Sequence, residues 1–123
     1  KQVTFMQIDL NQRPTIIIGL TKEINREALN PLLYGMEEEG IPYTIENQLG
    51  KEVKRVAFEA ANSSSLLVGI GFDGDQVVIQ YRNLPIEKPF LELQGYRGTP
   101  KQEIRNLGSN AARLVKGIAL KIK

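Results

Sequence analysis

The sequence predicts an α/β domain: a mostly parallel sheet of about five strands, one of them antiparallel, with helices on both faces in three layers. Two observations carry this. Short β-branched runs alternate with segments of helical apolar spacing from residue 15 to residue 62, the pattern of strand, crossover helix, strand. The run at 65–72 is then followed closely by another strand-like run at 76–81, an antiparallel pair.

Each element has a local reason. TIIIGL (15–20) is a continuous β-branched stretch of the sort found in a strand covered on both faces. Asn30-Pro31 opens the first helix, although an earlier start after Asn25 is equally possible; Leu29, Leu32, Leu33 and Met36 repeat at helical spacing, and Gly40 with Pro42 ends it. YTIEN (43–47) alternates as a second strand. Val53, Val56, Ala57, Ala60 and Ala61 place a second amphipathic helix over 51–62. SLLVGIGF (65–72), an Asp73-Gly74 turn and QVVIQY (76–81) make a hairpin. The segment from Arg82 to Gly98 reads as loop with a brief fifth strand in PFLEL (89–93). Thr99-Pro100-Lys101-Gln102 combines an N-cap, a first-turn proline and a capping-box glutamine, and launches a last helix striped by Ile104, Leu107, Ala111, Leu114 and Val115.

Composition excludes several functions. The 123 residues suit one domain, divided here into an extended arm (1–14), the α/β domain (15–117) and a basic tail (118–123). With 16 basic and 14 acidic residues the net charge is +2, and the bases are scattered, so nucleic acid is not expected as a partner. There is no cysteine and no histidine, which removes disulfides, thiolate zinc sites, cysteine nucleophiles and histidine-dependent triads. An enzyme acting alone is disfavoured. No apolar run nears the roughly 18 residues of a membrane span, and residues 1–15 lack a secretory pattern, so a cytoplasmic chain without membrane contact is expected.

GIGFDG (69–74) has the letters of a dinucleotide-binding loop but leads into a strand, not a helix. Gly69 and Gly71 are therefore read as allowing close packing, Gly74 as serving the turn, and Gly108, beside the stripe of the last helix, as allowing tight packing of helix on sheet. Asp73 and Asp75 are too few for a calcium loop. Arg105, Asn106, Ser109, Asn110 and Arg113 could bind an anion, but a solvated polar face is the simpler reading.

The end of the first helix, GMEEEG (35–40), is unusual because carboxylates are disfavoured beside the free carbonyls of a helix C-terminus by about 0.3–1 kcal/mol each. Advancing about 100° per residue from Leu29 puts Glu38 almost opposite the apolar stripe and Glu37 and Glu39 on its flanks. Tyr34, Gly35 and Glu38 then share the outer face. Either this face is merely acidic and solvated, or a partner surface or a hard cation meets Glu38.

LLYGMEEEGIP (32–42), SSSLLVGIGFDG (63–74) and IRNLGSNAARLVKG (104–117) together resemble the small subunit of glycerol and diol dehydratase reactivating factors, a family related to the dehydratases' own medium subunits. The resemblance implies a fold like the anticodon-binding domains of some aminoacyl-tRNA synthetases. It implies a non-catalytic, chaperone-like adaptor that binds an actin-like ATPase large subunit, exchanges transiently with the medium subunit of a cobalamin-dependent dehydratase and so helps release damaged cobalamin. No intrinsic cofactor is implied. A glutamate in the family's glycine-apolar-Glu-Glu motif, Glu38 by position, is implied to ligate magnesium at the contact with the large subunit, with Tyr34, Gly35 and Glu37 in the same partner face. The resemblance allows a setting inside a bacterial microcompartment and leaves open self-association of the isolated chain. The dehydratase medium subunit itself and a stand-alone small-molecule-binding module are the alternatives. The arm and the GIALKIK tail have no place in the family pattern.

Overall fold

The computed structural model describes residues 14–117. Except for Pro14, the arm and the tail assigned from the sequence lie outside the described residues. Five strands form one sheet: β1 (Ile16–Leu20), β2 (Tyr43–Asn47), β3 (Val68–Phe72), β4 (Gln76–Tyr81) and β5 (Leu91–Gln94). Their order is β2-β1-β3-β4-β5, with β1 parallel to β2 and β3, and β4 antiparallel to both β3 and β5. The single reversed strand is the second arm of the hairpin, as the sequence predicts. Its closing bond runs from Asp73 N–H to Gln76 O at 3.2 Å, so the two central residues are Gly74-Asp75, one place later than expected. Asp73 Oδ1 accepts from the N–H groups of Asp75 and Gln76 and fixes that turn.

Three helices complete the layers: α1 (Asn30–Glu38), α2 (Val53–Ser63) and α3 (Lys101–Lys116). The helical stretch begins after Asn25, and the α-helix begins at Asn30, which lies inside it and does not cap it; Leu29 precedes it with no side-chain cap. Asn25 accepts from Glu27 N–H and caps a 3-10 segment, Arg26–Leu29, which runs directly into α1. The capping box at α3 does not form. The helix starts at Lys101, Thr99 donates instead to Gly95 O at 2.8 Å, and Gln102 donates to Asn106.

Strand alternation divides the core unequally. Ile16, Ile18, Leu20, Val68, Ile70 and Phe72 face the layer of α1 and α3 and join Leu29, Leu32, Met36, Ile104, Leu107 and Ala111 in the main cluster. The opposite positions of β3 are Gly69 and Gly71. A Cβ on Gly69 would meet the α2 backbone at Ala61 N, and one on Gly71 would meet Val53 O, so α2 lies directly on the sheet there. Val53, Ala57 and Val78 form that smaller cluster.

Candidate functional site

α1 and α3 lie side by side on one face, and glycine sets their separation. A Cβ on Gly35 would meet Arg105 O, and one on Gly108 would meet Leu32 O. This corrects two expectations. Gly35 is buried under α3, so its backbone is not offered to a partner, because a second helix covers a face that a single helical wheel leaves open. Gly108 packs helix on helix, not helix on sheet.

The acids of GMEEEG are met by α3. Arg105, Ser109 and Arg113 are four residues apart and Lys116 follows three later, so they form one stripe facing the end of α1. Arg105 Nε donates to Glu38 Oε2 at 2.7 Å and Arg105 Nη2 lies 2.7 Å from the same oxygen. Ser109 Oγ and Arg113 Nε donate to Glu39 Oε2 at 2.7 and 2.9 Å, while Lys116 Nζ reaches Glu39 Oε1 and Glu39 O, both at 3.0 Å. Lys116 thereby also satisfies a carbonyl left over at the helix end. The Ser109 hydroxyl first, then Lys116 and Arg113, hold the Glu39 carboxyl down at about 2. Of the polar residues of α3, Arg105, Ser109 and Arg113 thus do bind anions, but the anions are carboxylates of this same chain, while Asn106 accepts from Gln102.

The flanking residues differ in exposure. Glu37, exposed, accepts from Tyr43 Oη at 3.1 Å, and burial followed by this carboxylate pushes the Tyr43 phenol up. Tyr34 is 46% exposed, and the Arg105 guanidinium lies 5.9 Å from its ring centroid. Tyr34 and Arg105 border an open crevice of about 890 Å³ that extends past Lys22, Asp73 and Arg97. The crevice lies beyond the C-terminal ends of β1 and β3, where the strand order reverses, the usual place for a site in such sheets. Gly74, at φ +103°, lets the hairpin border it closely, with Arg97 Nη2 3.2 Å from where a Cβ would stand.

Among the described residues no three acidic side chains gather to hold a metal. Glu38 fits a metal only as one hard oxygen donor on an exposed surface, with the remaining ligands from water and another molecule. Glu39 was missed as an organising residue. The signal was present as two unbalanced charge patterns: acids on α1 without bases at helical spacing, and Arg105, Arg113 and Lys116 on α3 with no acid three or four residues away, Glu103 lying off their stripe.

Residues 13–121 match the family described as dehydratase medium subunit. The chain belongs to that family. Among the relatives of this dehydratase medium-subunit family member, the propanediol dehydratase-reactivating factor small subunit of Salmonella typhimurium is 40% identical over 105 residues, covering 85% of this chain and 88% of the relative. The diol dehydratase-reactivating factor small subunit of Klebsiella michiganensis is 47% identical over 87 residues, 71% of this chain and 68% of that one. A solved diol dehydratase-reactivating factor complexed with ADP and Mg2+ contains a chain that is 40% identical, with a TM-score of 0.83 over 90% of this chain and 100% of that one. A glycerol dehydratase reactivase chain, 27% identical, has a TM-score of 0.81 over 89% of this chain and 98% of that one. The family member thus shares its fold, over about nine-tenths of its length, with chains of these two reactivating factors.

Proposed function

We propose that this chain is the small subunit of a diol or glycerol dehydratase-reactivating factor, an adaptor without catalysis of its own. The observation that carries the reading is the match, over the full length of the solved chain, to a component of a reactivating factor at 40% identity. A small subunit implies a large one; the reactivating factor solved with ADP and Mg2+ supports nucleotide binding in that complex, and the family resemblance is the ground for taking the large subunit as an actin-like ATPase. The dehydratase itself, cobalamin-dependent in this reading, is the transient second partner. Its medium subunit, the namesake of the family, would present a similar surface.

The mechanism is competition. Two chains of one fold contend for one site, and a nucleotide-linked change in the large subunit decides between them. A coupling of about 1–3 kcal/mol, a five- to 150-fold bias, is enough to reverse the outcome. The proposed contact is the exposed surface of Tyr34, Glu37 and Glu38, with Glu38 giving one oxygen to a magnesium ion and the large subunit and water giving the others. This chain's residues would orient the ion through one carboxylate anchored at a helix end.

The test is co-purification of the full chain with the large subunit of a diol dehydratase-reactivating factor, with a dehydratase catalytic subunit as the rival bait. Capture by the first supports the reading; capture by the second alone makes the chain a dehydratase medium subunit. Glu38→Gln is expected to weaken binding to the large subunit about tenfold, a coupling within the usual range, and to abolish its magnesium dependence. Unchanged binding would refute the metal role of Glu38.

A further inference from the structure

Two adjacent acids at the end of α1 are held in unlike ways. Glu39, 10% exposed, is gripped by Ser109, Arg113 and Lys116. Glu38 is 36% exposed, and Arg105, itself 41% exposed, directs both Nε and Nη2 at one oxygen, Oε2. The same guanidinium stands 5.9 Å from the Tyr34 ring centroid, and both side chains border the open crevice. Arg105 therefore lies between a carboxylate, an aromatic face and free space.

We propose that Arg105 is the resident counter-ion of Glu38 and is displaced when a partner-borne divalent cation arrives, its guanidinium withdrawing over Tyr34 toward the crevice. This rests on the reading of Glu38 as the carboxylate that meets the metal. The physical case is one of exclusion. A helix C-terminus needs a cation beside its carboxylate, and in the free chain Arg105 supplies it. Magnesium demands an oxygen at about 2.0–2.1 Å; Oε2 already carries two guanidinium N–H groups, and at either oxygen of one carboxylate the metal and the guanidinium would be two cations in close repulsion. Arginine is suited to leave, because a planar, weakly hydrated cation can exchange a carboxylate for an aromatic face. Tyr34 lowers the cost of release, and Glu39 keeps the helices joined while Glu38 changes partner.

Arg105 thus sets the metal concentration at which the subunits join. A site whose competent form is only fractionally populated binds with correspondingly weaker apparent affinity, and removing the competitor restores it. The experiment is a magnesium titration of the assembly between the full chain and the reactivating-factor large subunit, followed by interferometry, with a thermal melt of every variant. Arg105→Met is expected to lower the half-saturating magnesium concentration by about five- to tenfold, within the range of ordinary coupling. Arg105→Lys should shift it the same way by less, and is the deciding variant if Arg105→Met fails to fold. Tyr34→Leu should raise it, and by more with Arg105 present than in the Arg105→Met background, because loss of a direct Tyr34 contact with the partner would raise it equally in both; equal rises in both would overturn the role of Tyr34 in the release of Arg105. Half-saturation unchanged or raised in the arginine variants, while Glu38→Gln still abolishes magnesium dependence, overturns the displacement. Glu38→Gln leaving that dependence intact overturns the underlying metal reading as well.

Discussion

Glu39 sits where a helix resists negative charge, yet its carboxyl is held at about 2 against an ordinary 4.5 by the Ser109 hydroxyl, Lys116 and Arg113. The environment therefore favours the charged form, and the unfolded chain binds the proton more readily than the folded one. For a depressed carboxyl the sign is fixed: its stabilising contribution is complete above about 4.5 and is lost as pH falls toward about 2. Glu39→Gln should remove that loss. Circular-dichroism melts between pH 7 and pH 2 are expected to show a steeper fall of Tm on the acid side for the parent than for the variant. Parallel curves would mean that the Ser109, Arg113 and Lys116 contacts do not persist in solution. Glu38, more exposed, belongs to the surface and Glu39 to the seam, a distinction between neighbours that only the second helix creates.

The contact of α1 with α3 depends on Gly35 and Gly108, and here magnitudes decide the sign of a substitution. Alanine in a helix interior is intrinsically favoured over glycine by about 1 kcal/mol. A Cβ at either position would instead strike the neighbouring helix's backbone, at Arg105 O or Leu32 O, which cannot rotate aside. Overpacking typically costs about 1–3 kcal/mol, and against a backbone atom the upper end applies, so after the alanine gain of about 1 kcal/mol Gly35→Ala and Gly108→Ala should both destabilise by about 1–2 kcal/mol in urea unfolding. Gly98→Ala, with nothing near the added carbon, should stay within about 0.5 kcal/mol. Loss of stability in all three alike would contradict the close approach. This seam also marks where the sequence ceased to be readable. Strands, the reversed hairpin arm and the apolar stripe of α1 follow from local periodicity, and all five strands stand within a few residues of where that periodicity puts them. The neighbour of α1 does not. Arg105 is 67 positions from Glu38, and a single helical wheel treats every side away from the apolar stripe as solvent. Tyr34 and Glu38 emerge exposed as the wheel predicts, whereas Gly35, on the same side, is buried by a helix whose position no local pattern encodes. The family resemblance picked out Glu38 but carried no information about Arg105 lying on it.

Across the whole molecule, the sheet separates two tasks. The face under α2 is built on backbone-to-backbone approach at Gly69 and Gly71 and contains the small cluster of Val53, Ala57 and Val78. The other face carries the larger core and, at its outer edge, the Tyr34, Glu38 and Arg105 group. If that group is the partner surface, stability and assembly should be separable by mutation. Gly71→Ala drives a Cβ into Val53 O and is expected to destabilise by about 1–3 kcal/mol, lowering Tm by about 3–6 °C per kcal/mol for a chain of this size. Its folded fraction, measured below the melting range, should bind the large subunit with affinity within about twofold of the parent, since distant sites with no shared partners usually add within about 0.3–0.5 kcal/mol. Glu38→Gln should do the converse, lowering Tm by no more than about 3–6 °C, because an exposed ion pair contributes at most about 1 kcal/mol, while binding falls about tenfold. The comparison needs both measurements on both variants. Binding lost in Gly71→Ala well below its melting range would place the partner on the α2 side of the sheet, and the adaptor surface would have to be sought there, not at the end of α1.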